Sequence, residues 1–315
     1  MFIIAVYLFG MLRKDGVDID NYLMAYYDDV THIPDVGFQY LMLVFKTMHL
    51  PFEAMMLCIA CINLYALRRV STYYSVSFGL VLVIWFLHIA VVRDFAQLRS
   101  SVAISVALIG VTSRHGGVRW ALYACAFSFH FTATIFIFCF ELCSRITRIR
   151  GTFLRTAAIA GVSFSILALG YMLPFLGFLD ERVEIYLSWQ KEGYGAKVSS
   201  FGSLLLNFVI LAAAICYRRQ WQSNEKLRVL FYMQLLGVAV FVGFAGFAIF
   251  AFRLSAMVLA LYPVLIASVI QMSIGLDREG GRAIKALEKG TILLCFAAML
   301  LLRPNTLFIL NLVEH

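Results

Sequence analysis

The chain has 315 residues, of which 62% are hydrophobic and 14% charged, and its formal net charge at pH 7 is +8. A soluble domain carries about 25% charged and about 45–50% apolar residues, so this composition excludes an ordinary soluble domain. The basic excess does not point to a nucleic-acid partner, because basic residues in membrane proteins mark the cytoplasmic loops. We therefore predict an all-α, polytopic integral membrane protein that forms a single domain over residues 1–315.

Apolar segments recur along the whole chain. A spanning helix needs about 20 apolar residues, and fewer where neighbouring protein covers it or the bilayer thins. We predict about 10–11 transmembrane segments on this basis. The first lacks a basic region and a cleavage site, so we interpret it as a short span rather than a signal peptide. In chain order the segments lie at about 1–12, 48–67, 75–92, 100–113, 118–129, 131–144, 154–178, 199–217, 229–250, 255–274 and 290–302.

The basic loops predict the orientation. Five clusters of basic residues should lie on the cytoplasmic side, and the acidic loops 15–35 and 180–192 on the opposite side. A single helix over residues 118–144 would place the cluster that begins at Arg145 outside. We therefore predict a broken helix pair, interrupted near Phe129-His130, which returns that cluster to the cytoplasm. Irregular backbone at membrane depth is tolerated where protein or a water-filled cavity covers it.

The first extracytoplasmic loop is acidic and rich in tyrosine. Aspartates are costly near hydrocarbon, yet five of them lie between Asp18 and Asp35. If residues 15–30 are helical, Asp18, Tyr22, Tyr26 and Asp29 share a face. That face is either a solvated amphipathic surface or a binding surface, where a carboxylate removes a proton from a sugar hydroxyl and tyrosines stack on sugar rings. Asp18-Ile-Asp20 matches the DxD pattern of metal-dependent nucleotide-sugar enzymes. We do not assign that function, because the match is only three residues long and nucleotide sugars are absent on this side of the membrane.

Three arginines and one histidine are predicted on the same side of the membrane. Arg99 and Arg253 each lie where a short turn meets an apolar helix, against the trend for positive charge. Arginine suits phosphate, so these residues, with Arg93 nearby, indicate a lipid-linked phosphate or pyrophosphate. The alternative is that the arginines pair with aspartates or extend to head groups. His130 either binds phosphate or relays a proton at the helix break, or is a polar group satisfied between helices.

Three motifs in order resemble the EpsG-type branch of the Wzy polysaccharide polymerases. The first is Asp20-Asn-Tyr22, Tyr26 and Asp35-Val-Gly37-Phe38; the second is Arg99-Ser-Ser-Val-Ala103; the third is Phe129-His130-Phe-Thr-Ala133. The resemblance covers about residues 15–140, and the remainder is similar in hydropathy and in Arg253. The chain departs from the family pattern after Arg99, where the family usually has a polar residue, often glutamine, and this chain has the smaller Ser100.

The resemblance implies a function and a site. It implies a multi-pass glycosyltransferase of the bacterial inner membrane that polymerises undecaprenyl-pyrophosphate-linked repeat units into O-antigen or exopolysaccharide at the periplasmic face. Its partners would be these substrates, membrane lipids, and a chain-length regulator and flippase of the same pathway. We predict no cofactor and no metal-binding residues, and the sequence leaves metal dependence open. Asp20 or Asp35 would be the base, and the leaving pyrophosphate would need positive charge. The implied residues are Asp20, Asp35, Arg99, His130 and Arg253 as catalytic, and Asp18, Tyr22, Tyr26, Asp29, Phe38 and Arg93 as substrate-binding.

Other functions remain open at this stage. A flippase or transporter of lipid-linked oligosaccharide would use the same cationic groups, with internal repeats and charges along a central path. A different membrane transferase, such as an O-antigen ligase, would carry one large outer loop. A structural assembly subunit would have an outer face poor in carboxylates. The profile of lipid-linked repeats in a deletion strain separates polymerase from flippase.

Overall fold

The structure is a computed structural model that describes residues 2–12, 18–27, 33–95, 97–172, 200–245 and 247–275. All regular secondary structure within these ranges is helical, which confirms the predicted all-α class. The helices cluster into two compact units, Met1–Ile137 and Phe138–His315. The single domain expected over the whole chain stays a prediction, and the loop 180–192 and the segment 290–302 lie outside the described residues.

The first unit contains seven helices among its described residues and the start of an eighth. α5 continues directly into a wider, π-helical stretch at Phe86–Asp94. The helices are α1 (Phe2–Met11), α2 (Ile19–Tyr27), α3 (Val36–Thr47), α4 (Phe52–Tyr74), α5 (Phe78–Trp85), α6 (Leu98–Val111), α7 (Gly116–Phe129) and the beginning of α8 (Ala133–Thr147).

The second unit begins within α8. A single 3₁₀ turn, Leu259–Leu261, joins its last two described helices into one continuous rod. The helices that follow α8 are α9 (Thr152–Met172), α10 (Ser200–Cys216), α11 (Arg218–Ser223), α12 (Glu225–Gly243), α13 (Ala248–Val258) and α14 (Tyr262–Gly275).

Helix length and hydropathy confirm a multi-pass membrane protein. Four helices in the described part are long and apolar enough to cross a membrane: Phe52–Tyr74, Thr152–Met172, Glu225–Gly243 and Ala251–Met272. Three shorter apolar helices, of 10–17 residues, accompany them: Phe78–Ala90, Leu98–Val111 and Asn207–Cys216.

The helix break near Phe129-His130 is confirmed. α7 ends at Phe129, His130 has an extended backbone with φ −166° and ψ 118°, and α8 begins at Ala133. The amide of His130 still donates to the carbonyl of Ala126 at 3.1 Å, so the histidine closes the last turn of α7.

The acidic, tyrosine-rich segment is more ordered than a loop. Its described residues form α2 and α3, and the second of these helices was not predicted. α2 buries Ile19, Tyr22, Ala25 and Tyr26 and exposes its opposite face, because residues three and four apart share one side of a helix. Tyr22 and Tyr26 do share a face, as predicted, but it faces the protein rather than solvent.

α6 is the centre of the first unit. All of its residues are buried except Arg99 and Ile109, which are half-buried. α4, α7 and the π-helical stretch pack around this helix, so its serines and Arg99 lie among neighbouring helices. Arg99 is therefore a charged side chain in the first turn of the most enclosed helix of its unit.

α12 is the corresponding central helix of the second unit. Asn224 caps its start by accepting from the amide of Lys226 at 3.0 Å, a typical N-cap contact. At its other end α9 crosses so closely that a Cβ added at Gly170 would lie 2.3 Å from the carbonyl oxygen of Gly243. Such approaches are frequent between membrane helices, because small residues let backbones pack directly.

Candidate functional site

Asp35 is the centre of a charged cluster in the first unit. Its Oδ2 accepts from Nη1 of Arg99 at 2.5 Å and lies 3.3 Å from Nδ1 of His130. The carboxylate is buried, at 8% exposure, whereas the side chains of Arg99 and His130 retain 25% and 19% exposure. We call Tyr22, Asp35, Arg99 and His130 the Asp35 cluster. A ligand can reach its two nitrogen-bearing members, while the carboxylate orients them from behind.

Local structure explains why Asp35 is available to both partners. Asp35 is the N-cap of α3, and its carbonyl oxygen accepts from the amides of Phe38 and Gln39. Its side chain makes no capping hydrogen bond, so both carboxylate oxygens remain free for other groups. The positive end of the helix dipole favours a negative charge at this position.

The surroundings keep Asp35 ionised. Burial is the largest single influence and raises the pKa of this carboxyl, but the hydrogen bond and charge of His130 and those of Arg99 together outweigh it. The net pKa lies below the ordinary value of an aspartate. At neutral pH the carboxylate is therefore an acceptor, and Nδ1 of His130 is the ring nitrogen that donates to it, which leaves Nε2 available to a ligand.

Tyr22 completes the cluster from α2. Nε of Arg99 donates to its hydroxyl at 3.3 Å, and the guanidinium lies 5.8 Å from its ring centroid. Phe38, fully buried, packs against the same ring with centroids 5.4 Å apart. Burial raises the pKa of Tyr22 despite the opposing charge of Arg99, so its hydroxyl stays protonated. Arg99 is thus held in one orientation by a carboxylate on α3 and a phenol on α2.

Gly37 brings α3 against α7. A Cβ at this position would lie 2.8 Å from the backbone carbon and 2.9 Å from the backbone oxygen of Ser128. Since Ser128 precedes His130 by only two residues, this contact sets the distance between Asp35 and His130. The Asp35-Val-Gly37-Phe38 motif therefore has a physical explanation: the glycine allows the approach that places the aspartate, and the phenylalanine supports Tyr22.

Gly37→Ala is expected to destabilise the protein by about 1–3 kcal/mol, because the added methyl group meets rigid backbone rather than a flexible side chain. Thermal unfolding in detergent measures the effect. Gly117→Ala in α7 is the matched control, since a Cβ there meets nothing within 4 Å. That change should be neutral or slightly stabilising, by up to about 1 kcal/mol. Equal unfolding temperatures for Gly37→Ala and the wild type would show that the close approach is not required.

The structure brings together four of the predicted site residues, the members of the Asp35 cluster, and packs Phe38 against the ring of Tyr22. Asp20 is exposed on α2, and Asp18 is half-buried just before that helix. Tyr26 donates to the carbonyl of Leu50 at 2.7 Å, which connects α2 to the start of α4. Asp29 lies outside the described residues.

The other two predicted arginines are Arg93 of the first unit and Arg253 of the second unit. Arg93 is buried, with its guanidinium 4.5 Å from the ring centroid of Trp85 and Nε 3.6 Å from Asp94. Arg253 is half-buried on α13 of the second unit. Arg99 forms an ion pair with Asp35, as the alternative interpretation of the arginines predicted. Because His130 contacts the same carboxylate, this ion pair is also part of the candidate site.

Sequence reasoning missed a set of buried polar side chains where α1, α4 and α6 meet: Tyr7, Asn63, Ser101 and Ser105. Two signals could have identified them. Asn63 is an amide within an apolar stretch of α4, and Ser101 and Ser105 are four residues apart, on one face of α6. Among the described residues there is no group of three His, Cys, Asp or Glu side chains that could hold a metal ion.

Together these features define a multi-pass helical membrane protein with an aspartate–arginine–histidine site. The sequence profile of the EpsG family matches residues 1–309. The chain therefore belongs to the EpsG family, which confirms the resemblance found in its motifs and indicates a membrane function similar to that of the polysaccharide polymerases. No curated protein and no solved structure matches the chain.

Proposed function

We propose that the protein polymerises lipid-pyrophosphate-linked oligosaccharide repeat units at the periplasmic face of the bacterial inner membrane. The donor is a growing glycan on undecaprenyl pyrophosphate, and the acceptor is a new lipid-linked repeat unit. The observation that carries the proposal is the carboxylate of Asp35 bonded to both Arg99 and His130. Family membership supports the reaction class, and the basic loops of the sequence support the orientation.

Asp35 and His130 provide the base. Asp35 holds Nδ1 of the imidazole, so Nε2 accepts the proton of the acceptor hydroxyl, in the way that a carboxylate orients the histidine of a catalytic triad. The oxygen then attacks the anomeric carbon, and the bond from that carbon to the pyrophosphate oxygen breaks through an oxocarbenium-like state. The proton resides on His130 until the product leaves. Of the two aspartates predicted as the base, Asp35 is favoured because Asp20 lies exposed on α2.

Arg99 stabilises the leaving group. Pyrophosphate is a stable anion that needs positive charge rather than a proton, and guanidinium offers planar, directional donors. The contacts with Asp35 and Tyr22 fix its orientation before the substrate binds, so little reorganisation is needed during the reaction. Arg253 is proposed as a second cation for the pyrophosphate, and Asp18 and Asp29 as sugar-binding residues. Arg93, Tyr22 and Tyr26, predicted from the sequence as substrate contacts, are buried, so we assign them no direct contact with the substrate.

The lipid-linked intermediates of a deletion strain test this function. Loss of the gene should leave single repeat units on the lipid carrier at the periplasmic face, with no polymer. Repeat units confined to the cytoplasmic face would instead indicate a flippase. Full-length polymer that stays on the carrier would indicate a ligase. Either of these two results would overturn the proposal.

A further inference from the structure

A buried polar cluster lies on the side of α6 that faces away from the proposed site. We call it the internal cluster; its members are Tyr7, Asn63, Trp85, Asp94, Ser101 and Ser105. Each helical residue advances about 100° around the axis, so Arg99 and Ser101 project in nearly opposite directions. The first turn of α6 therefore has the Asp35 cluster on one side and the internal cluster on the other.

Asn63 of α4 is the link between helices. Its Nδ2 donates to the hydroxyl of Tyr7 at 2.9 Å and to Oγ of Ser101 at 2.8 Å. Its Oδ1 accepts from Oγ of Ser105 at 2.7 Å. Both amide protons and the carbonyl are thus used, and two successive turns of α6 are bound to a single side chain. The amide can satisfy this set in one rotational setting of α6 only.

Asp94 ends each chain of hydrogen bonds. Its Oδ1 accepts from Ser101 at 2.7 Å, and its Oδ2 accepts from Tyr7 at 2.7 Å and from Nε1 of Trp85 at 2.6 Å. The hydroxyls of Tyr7 and Ser101 therefore each donate their one proton to Asp94 and accept from Asn63, whereas the hydroxyl of Ser105 donates to Asn63. Asp94 has no exposed surface, and Arg93 lies beside it. Donor and acceptor directions are fully determined, which is the condition under which a buried network specifies one arrangement.

We propose that the internal cluster fixes the rotation of α6 and thereby aims Arg99 at its ligand, which makes Asn63 a positioning residue of the site. The first turn of α6 contributes Arg99 to the Asp35 cluster and Ser101 to the internal cluster, so one rotational setting of the helix serves both. Between apolar helices, dispersion contacts change little on a small rotation, whereas a displaced buried amide or carboxylate loses its partners. The catalytic part of this inference rests on the proposed function; the rotational part does not.

The rotational part is tested without substrate. In full-length protein in lipid nanodiscs, with native cysteines replaced by alanine, Arg99→Cys reports the direction of position 99 through its reaction with a charged maleimide. Asn63→Leu should slow that reaction several-fold, because α6 turns position 99 toward packed helices. Asn207→Leu is the matched control, since it removes a buried amide pair of the second unit, to Gln234 at 2.9 Å. It should leave the rate unchanged. An unchanged or faster rate with Asn63→Leu overturns the proposal.

The catalytic part is tested by a double-mutant cycle on polymer formation in proteoliposomes. Asn63→Leu should lower turnover by about 10–100-fold, since small misplacements of a catalytic group carry costs of that order. In an Arg99→Lys background the same change should have little further effect, because the position of a flexible lysine ammonium group does not depend on the rotation of α6. Independent, multiplying effects would mean a general loss of stability and overturn the assignment. If the Asn63→Leu protein fails to insert into the membrane, Ser105→Ala replaces it in the cycle. This change removes one hydrogen bond and is expected to give the same pattern with a smaller loss of turnover.

Discussion

Arg99→Ala is expected to abolish polymer, with turnover lowered by about 10²–10³-fold, the usual cost of losing a preorganised donor to developing negative charge. The change removes the cation proposed for the pyrophosphate. It also leaves the buried carboxylate of Asp35 with His130 as its remaining partner in the cluster. Polymer length on gels, normalised to the amount of membrane-inserted protein, measures the effect. Normal polymer in this variant would remove Arg99 from the mechanism.

Arg69→Ala is the matched control for that experiment. The guanidinium of Arg69 lies 5.8 Å from the ring centroid of Tyr65, the same distance that separates Arg99 from Tyr22. It also donates to the tyrosine hydroxyl, at 3.2 Å. The two arginines thus share their aromatic contact, and Arg99 adds the ion pair with Asp35. Arg69→Ala should retain polymer, which would assign the loss in Arg99→Ala to the site rather than to an arginine–tyrosine contact.

Asp35→Asn and His130→Ala are each expected to lower turnover by about 10²–10⁴-fold, because general base catalysis and orientation of the base contribute on that scale. An asparagine at position 35 can present its amide protons to Nδ1, which favours the wrong tautomer of His130. The two changes combined should cost little more than either alone, since residues that act as a unit are strongly non-additive.

Asp20→Asn separates the two aspartates that the sequence offers as the base. Asp20 is exposed on α2, so its replacement should leave turnover near that of the wild type. Single-turnover measurements with a lipid-pyrophosphate-linked repeat unit would distinguish loss of chemistry from loss of binding. If Asp20→Asn is inactive and Asp35→Asn is active, the assignment of the base is wrong.

The family and the helical architecture were accessible from the sequence. Long apolar runs produce membrane helices whatever their neighbours, because backbone polar groups in lipid must bond within the helix. The break at His130 was predicted from charge alone: a continuous helix would have placed the Arg145 cluster on the wrong side. Asp35, Gly37, Arg99 and His130 each stood out in a motif.

The sequence did not determine which of these residues meet. Asp20 and Asp35 were equivalent candidates, and α3 was not expected. The close approach of Gly37 to Ser128 places Asp35 within reach of His130, and this contact between helices is what favours Asp35 over Asp20 in the proposed mechanism. The role of Asn63 appeared only once α1, α4 and α6 were packed. Helix formation depends on local hydrogen bonds and hydropathy. The contacts that join different helices in the two clusters connect side chains up to 95 residues apart in the chain, which no local pattern encodes.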